Sequence, residues 1–220
     1  MKYIIANWKA NKTFDQANKW IERFLKNDLS KIANNLEIII CPPYPFISFL
    51  KEKTKNIKFI KIGSQDLSFF KNGAYTGEVS IENLSGLIDY AIIGHSERRY
   101  YFEETQRILS QKIALAIKYK VKPIYCIRGV GDVVPERCVF LAYEPIYAIG
   151  SGNNEPVEKV LKIKKKLRLA KKNIFIYGGS VDEENVNSYL RNKEIGGLLI
   201  GSSSLDAEIF FRIVKSAISL

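Results

Sequence analysis

Two side chains in this 220-residue chain stand at the ends of short apolar runs, where they could carry acid–base chemistry. Glu144 ends the run that begins at Val139, and His95, the only histidine, follows the run that begins at Tyr90. A carboxylate placed there is partly desolvated, which raises its pKa towards that of a general base at neutral pH, and histidine titrates near neutrality. The alternatives are a salt-bridged carboxylate at the rim of the fold and a structural histidine.

Other strand-end segments favour binding of an anion. The first apolar run leads into Asn7-Trp8-Lys9, and two loops, Tyr177-Gly178-Gly179-Ser180-Val181 and Gly201-Ser202-Ser203-Ser204, lead into helices predicted over 182–190 and from Leu205. Glycines permit close backbone approach, and free N–H groups at helix starts attract phosphate. Either loop alone is a weak signal, but the pair predicts a phosphate site.

The elements that would position these residues alternate along the whole chain. Short apolar, β-branched runs are followed mostly by stretches of helical period, which is typical of βα units. The runs cover residues 3–7, 37–41, 59–63, 90–94, 121–127, 139–144, 174–178 and 197–201. Eight units predict an α/β fold of one (β/α)8 barrel domain over residues 1–220, with an open doubly wound sheet as the alternative.

One crossover is unusually short. Only residues 128–138 separate the fifth run from the sixth, and they include two glycines and Pro135. This is close to the shortest parallel crossover, roughly 10–12 residues, and leaves little room for a full helix. We therefore expect a barrel that lacks its helix between strands 5 and 6.

Composition limits the class of protein. Hydrophobic residues at 46% and charged residues at 26% are typical of a soluble globular chain, and the net charge of +11 suits an anionic partner. The basic run 162–172 is interpreted as a solvated helix face. Three widely spaced cysteines indicate a reducing compartment, and no apolar stretch approaches the roughly 18 residues of a membrane span. We expect a cytoplasmic protein that binds neither membranes nor nucleic acid.

Five segments together resemble one family, the triosephosphate isomerases. They are Ala6-Asn7-Trp8-Lys9, Gly73-Ala74-Tyr75-Thr76-Gly77-Glu78, Gly94-His95-Ser96-Glu97-Arg98-Arg99, Ala142-Tyr143-Glu144-Pro145 and Tyr177-Gly178-Gly179-Ser180-Val181, in the order of the family. The resemblance implies interconversion of dihydroxyacetone phosphate and glyceraldehyde 3-phosphate, in glycolysis and gluconeogenesis. It also implies that the reaction needs no cofactor and no metal.

The resemblance also implies a role for each residue of the site. Glu144 would be the base and neutral His95 the electrophile, since triosephosphate isomerase is itself the standard case of that pair. Lys9 would supply positive charge, Asn7 would form hydrogen bonds in the same corner, and Glu97 would orient Lys9.

The phosphate would lie on backbone N–H groups of Gly150, Ser180, Gly201 and Ser202. A lid would cover the intermediate and prevent loss of phosphate, and it would consist of Pro145, Ile146, Tyr147, Ala148, Ile149, Gly150, Ser151 and Gly152. A homodimer is implied as well, in which the loop with Tyr75, Thr76, Gly77 and Glu78 reaches the partner near its lysine and glutamate.

Some positions depart from the family pattern. Tyr147 and Ser151 stand where the family commonly has tryptophan and threonine, and Ser202 stands where it has a second glycine. A serine at position 202 would destabilise the loop if its backbone required positive φ. Ile127-Arg128-Gly129 replaces Ile-Gly-Glu at the start of the short crossover.

Three other functions compete with the isomerase. Another phosphosugar barrel would share the two phosphate loops, but it would not require Asn7, Lys9, His95 and Glu144 together. A nucleic-acid-binding protein is suggested by the charge and by twelve tyrosines, although no binding motif is present. An inactive barrel used for interactions is disfavoured by the intact catalytic positions.

Overall fold

The computed structural model describes residues 1–30, 32, 35–145 and 154–218. Eight parallel strands close into a barrel in chain order, and the last strand pairs with the first. They are β1 (Lys2–Asn7), β2 (Leu36–Cys41), β3 (Ile60–Ser64), β4 (Tyr90–Ile93), β5 (Lys122–Ile127), β6 (Phe140–Tyr143), β7 (Ile174–Tyr177) and β8 (Gly197–Ile200). Closure confirms the (β/α)8 barrel and excludes the open sheet, and every predicted strand boundary is within one residue of the observed one.

Helices cover the outside of the barrel. They are α1 (Phe14–Lys26), α2 (Ile47–Thr54), α3 (Ile81–Leu84), α4 (Ser96–Tyr101), α5 (Gln106–Lys118), α6 (Val157–Lys166), α7 (Val186–Leu190) and α8 (Ala207–Ile218). The predicted cap at Ser80 is present as a capping box with Asn83, although the helix that it starts is a single turn. Within the described parts of the chain, no helix has the length and apolar character needed to cross a membrane.

Alternate strand residues build two apolar cores. The side chains that point into the barrel form one cluster, in which the Phe140 ring meets the rings of Tyr3 and Tyr90 edge-on at 4.9 and 5.4 Å. The side chains that point outwards pack against the helices, where Trp20 and Phe24 of α1 contact Phe210 of α8. Because both faces of each strand are buried, the strands are apolar along their whole length.

The crossover between β5 and β6 contains no helix, as its length predicts. Residues 128–139, all of which are described, form turns. The Asp132 carboxylate accepts hydrogen bonds from the backbone N–H and the guanidinium of Arg128, both at 2.7 Å, and this closes the turn. Val134 and Cys138 pack against the outer core. The short segment therefore covers the two strands itself.

The prediction of a helix over 182–190 is wrong for its first half, since α7 begins only at Val186. The Asp182 carboxylate accepts from the backbone N–H groups of Glu184 and Asn185 at 3.0 and 2.9 Å. This local hydrogen bonding replaces the first helical turn by a turn of the Asx type.

The helix predicted from Leu205 is also displaced. A 3₁₀ turn spans Ser202–Ser204, and α8 begins at Ala207. The Asp206 carboxylate accepts from two backbone N–H groups of the first turn of α8, at 2.9 Å each, and so sets where that helix starts.

Candidate active site

A cavity of about 300 Å³ opens at the carboxyl ends of the strands. The residues that line it include the predicted acid–base pair, the predicted lysine and both glycine- and serine-rich loops. They are Asn7, Lys9, His95, Glu144, Gly178, Gly179, Ser180, Val181, Asp182, Leu199, Gly201, Ser202 and Ser203. Parallel strands that end at one face of the barrel bring these distant parts of the sequence together.

Glu144 follows β6 and is 1% exposed. Its Oε1 lies 2.9 Å from Nε2 of His95, and its Oε2 accepts a hydrogen bond of 2.9 Å from the backbone N–H of Ser96. Both carboxylate oxygens therefore have partners from the segment after β4, and the acid–base pair is in direct contact.

The expectation of a raised pKa for Glu144 is wrong for this arrangement. Burial raises the pKa of the carboxyl, but the neighbouring His95 and the hydrogen bond from Ser96 lower it by more, so the pKa lies below its usual value. The partners that hold the charged form outweigh the loss of water.

His95 caps the first turn of α4. Its Nδ1 accepts from the backbone N–H of Glu97 at 3.2 Å, which assigns the ring proton of a neutral imidazole to Nε2. That Nε2 faces Glu144. Burial lowers the pKa of His95, and the carboxylate of Glu144 raises it by more, so the pKa is raised while the two groups are paired.

Lys9 is held in a fixed place at the end of β1. Its φ of +51° is rare for a residue with a side chain, and the turn is stabilised by the Asn7 Oδ1, which accepts from the Lys9 N–H at 3.1 Å. The Gln65 amide donates to the Lys9 carbonyl at 2.9 Å. Nζ lies 2.5 Å from Oε1 of Glu97. Glu97 therefore lies beside Lys9.

Three residues at the site were not predicted. Ser96 and Arg99 lie in the segment Gly94–Arg99, but the residues of that segment give no sign that the backbone N–H of Ser96 binds Glu144. Arg99 donates to the carbonyls of Gly94 and Cys126 at 2.8 Å each, and so connects the ends of β4 and β5. Gln65, 56 positions from Lys9, gives no signal in the sequence.

The two phosphate-loop segments lie side by side at the cavity. Ser203 Oγ donates to the Val181 carbonyl at 2.8 Å, which connects them. Ser180, Gly201 and Ser202 all line the cavity. The backbone of Ser202 does not have positive φ, so serine carries no conformational penalty there. Gly150, the fourth predicted contact, is outside the described residues, as are Ile146, Tyr147, Ala148, Ile149, Ser151 and Gly152 of the predicted lid.

Gly178 leaves room for the base, and this predicts the effect of a substitution. A Cβ at Gly178 would lie 3.1 Å from Cγ of Glu144. We expect Gly178→Ala to lower kcat about tenfold by displacing that carboxylate. The matched control is Gly131→Ala, because a Cβ there meets nothing within 4 Å. Steady-state kinetics of both variants give the comparison, and equal activities would contradict the close-contact argument.

The predicted dimer loop is on the surface. All residues from Lys71 to Glu78 are exposed, and the Tyr75 ring, 45% exposed, stacks on Phe70 at 4.0 Å between ring centres. Further large apolar side chains are exposed after β1 and in and after α4: Phe14, Tyr100, Tyr101 and Phe102.

The barrel and its paired carboxylate and imidazole define an enzyme of the (β/α)8-barrel class. The family model described as triosephosphate isomerase matches residues 2–137 and 130–217, and its two matches meet in the crossover that lacks a helix. The chain belongs to the triosephosphate isomerase family, a family of isomerases.

Individual relatives are similar to this chain over nearly their whole length. Triosephosphate isomerase of Dictyoglomus turgidum is 34% identical over 249 residues, which cover 98% of this chain and 99% of the relative. The Mesomycoplasma hyopneumoniae (strain 232) and Aquifex aeolicus enzymes of the same name are 35% and 33% identical, each with 98% and 99% coverage. Because the alignments are longer than the 220 residues here, these relatives contain segments that this chain lacks.

Proposed function

We propose that this chain interconverts dihydroxyacetone phosphate and D-glyceraldehyde 3-phosphate at this cavity, without a cofactor, with Glu144 as base and His95 as electrophile. The observation that carries the proposal is the contact of 2.9 Å between Glu144 Oε1 and His95 Nε2 in a cavity that also contains Lys9 and both phosphate-loop segments. An acid–base pair next to an anion site is what isomerisation of a phosphorylated sugar requires.

Glu144 transfers the proton between adjacent carbons. Its carboxylate takes a proton from C1 of the ketone, the C–H electron pair forms the C1–C2 double bond, and the carbonyl oxygen becomes the enediolate oxygen. Nε2–H of His95 protonates the C2 oxygen, and the ring recovers a proton from the C1 hydroxyl. The Glu144 carboxyl returns its proton to C2 as the C1–O bond becomes the carbonyl of the aldehyde, so both side chains end in their starting states. Since both oxygens of Glu144 are bound to His95 and Ser96, the base must exchange at least one of these hydrogen bonds for the substrate.

His95 donates from Nε2 to the substrate carbonyl. Its Nδ1 is occupied by the N–H of Glu97, so the neutral ring presents a single proton towards the cavity. The carboxylate of Glu144 is what raises the pKa of His95 above its usual value. Once Glu144 has taken the substrate proton, the largest cause of the raised pKa is gone, and burial and Lys9 favour the neutral imidazole.

Lys9 stabilises the negative charge on the substrate and on the enediolate. Asn7 and Glu97 are positioning residues for it, through the contacts with the Lys9 N–H and Nζ. Backbone N–H groups of Ser180, Gly201 and Ser202 bind the phosphate in this proposal, next to Lys9, since a Cβ at Gly201 would lie 3.4 Å from its Cε.

A coupled assay tests the reaction directly. The purified protein is given D-glyceraldehyde 3-phosphate, and formation of dihydroxyacetone phosphate is followed with an excess of a reductase for that ketone. Rapid conversion supports the proposal. Folded protein that binds inorganic phosphate but does not convert the substrate would favour a different phosphosugar barrel.

The pH profile gives a prediction that depends on His95 and on Glu144. Because the pKa of Glu144 in the ligand-free protein lies below the usual 4.5, the base stays ionised down to that pH and is lost only below it. We expect kcat/KM, corrected for ionisation of the substrate phosphate, to start falling above pH 6.5 as the pH is lowered, because protonation of His95, whose pKa is raised, removes the neutral electrophile, and to fall further below pH 4.5 where Glu144 is protonated. A corrected profile that stays flat from neutral pH down to pH 4.5 would contradict the raised pKa of His95.

A homodimer is part of the proposal. It is supported by the exposed loop around Tyr75 and by the exposed rings of Phe14, Tyr101 and Phe102, because clusters of exposed apolar side chains mark interaction sites. Light scattering is expected to give about twice the chain mass of 25.1 kDa, and deletion of residues 74–77 is expected to give the monomer mass. A monomeric full-length protein would refute the dimer.

We further propose that residues 1–220 form one domain that acts in the cytoplasm, in glycolysis and gluconeogenesis. Pairing of β8 with β1 supports the single domain, because the two ends of the chain share one sheet. The three cysteines, Cys41, Cys126 and Cys138, are buried free thiols, which suits a reducing compartment.

A further inference from the structure

A strongly basic surface lies away from the cavity. Between Lys159 and Lys172 there are eight lysines and arginines and no carboxylate. Lys159 pairs with Glu155, and Lys164 pairs with Glu194. The other six have no ion-pair partner among the residues that the structure describes: Lys162, Lys165, Lys166, Arg168, Lys171 and Lys172. Their charge is therefore not compensated within the described chain.

A groove of about 520 Å³ is formed in this surface, and we call it the cationic groove. Leu161 and Leu169 give it an apolar floor, and both are only partly exposed. Lys162, Lys165 and Arg168 are exposed at its edge. On the other side Lys164 Nζ binds the carbonyl and the carboxylate of Glu194, at 2.8 and 3.1 Å. That contact connects α6 to the segment before β8.

The cationic groove lies at the opposite end of the barrel from the active site. Arg168 and Leu169 stand in the connection that enters β7 at Ile174, and Glu194 stands just before β8. These are the amino ends of the strands, whereas the cavity with Glu144 is at the carboxyl ends. A ligand in the groove would leave the active site open.

The positive charges in this region affect one another. Lys2, at the start of β1, donates to the carbonyls of Asn192 and Ile195 at 2.9 and 2.5 Å, near the groove. Burial, with added repulsion from Lys164, lowers the pKa of Lys2. A negative ligand would relieve this repulsion.

We propose that the cationic groove is a docking site for an acidic segment of a partner protein, in which apolar side chains recur at helical spacing. The carboxylates of the segment would meet Lys162, Lys165 and Arg168, while its apolar side chains would lie on Leu161 and Leu169. Charge complementarity and the recessed apolar floor together select this occupant.

Other anionic partners fit less well. None of the eight described residues that line the groove is aromatic, so a nucleic acid has no stacking partner there. A membrane surface would need apolar side chains that protrude, but Leu161 and Leu169 are partly buried and pack against the core.

Fluorescence anisotropy with a labelled synthetic peptide tests the proposal. The probe is a peptide of about twelve residues with leucine at every fourth position and glutamate elsewhere, so that its apolar side chains share one face if it forms a helix on the groove. Two further probes are the same peptide with alanine for leucine, and a labelled oligouridylate. We expect the leucine peptide to bind more tightly than the alanine peptide and the RNA, with an affinity that falls as salt is raised.

Reversing the charge of two groove residues tests whether the peptide binds in the cationic groove. Lys165→Glu/Arg168→Glu is expected to weaken binding of the leucine peptide about tenfold or more. The matched control, Lys58→Glu/Lys120→Glu, changes the net charge equally, at exposed lysines at the same end of the barrel but in other βα units. Thermal unfolding and isomerase activity confirm that both variants are folded, since neither pair is near the cavity.

Three results would overturn the docking site. Equal weakening by the two double variants would show that only net charge matters. Equal binding of the alanine peptide would show that Leu161 and Leu169 do not contribute to binding. Tighter binding of the RNA would assign the surface to nucleic acid instead.

Discussion

Replacing Glu144 with glutamine is expected to lower kcat by about 10²- to 10⁴-fold while binding of inorganic phosphate is nearly unchanged. The amide keeps the size of the side chain and can still contact Ser96 and His95, but it cannot accept the substrate proton. The loss is expected in kcat rather than in KM, because the carboxylate acts on the reacting carbons and not on the phosphate. Steady-state kinetics in both directions give the measurement.

Glu158→Gln is the matched control for this prediction. Glu158 is an exposed carboxylate in the first turn of α6, outside the cavity. The control should retain full activity. If Glu144→Gln kept most of its turnover, Glu144 would not be the base, and the hydrogen bonds that hold it would be structural.

Lys9→Ala is expected to lower kcat/KM by about 10²- to 10³-fold, and a large share of that loss should appear in KM. Nζ of Lys9 supplies a positive charge in the cavity that attracts the phosphorylated substrate and stabilises the enediolate. Its removal would also leave Glu97 without its partner at 2.5 Å, and that carboxylate would then repel the dianion.

The control for Lys9→Ala is Lys12→Ala. Lys12 also has positive φ, at 77°, and its Nζ donates to the Leu205 carbonyl at 2.6 Å, but it does not line the cavity. Both substitutions remove one positive charge near the end of β1. Equal effects of the two substitutions on kcat/KM would show that only the net positive charge near the cavity matters and not the position of the Lys9 Nζ. Unchanged kinetics for Lys9→Ala would refute its role.

The shortened crossover shows how much a local pattern can predict. Eleven residues with two glycines and a proline cannot return a chain from one end of the barrel to the other as a helix, so the loss of that helix is evident from residues 128–138 alone. What replaces it was not evident. The turn closed by Arg128 and Asp132, and the contacts of Val134 and Cys138, depend on the shape of the outer surface of β5 and β6.

The sequence by itself determined the eight βα units, their strand boundaries to within one residue, the missing helix and the residues at the strand ends, and it favoured a barrel over an open sheet. These follow from alternation of apolar runs and from spacing, which are local properties of a chain. Only the tertiary structure decided the direction of the pKa shift of Glu144, the support of Lys9 by Gln65, and the groove between α6 and Glu194. Each depends on distances between atoms that are far apart in the sequence, and electrostatic energies follow those distances.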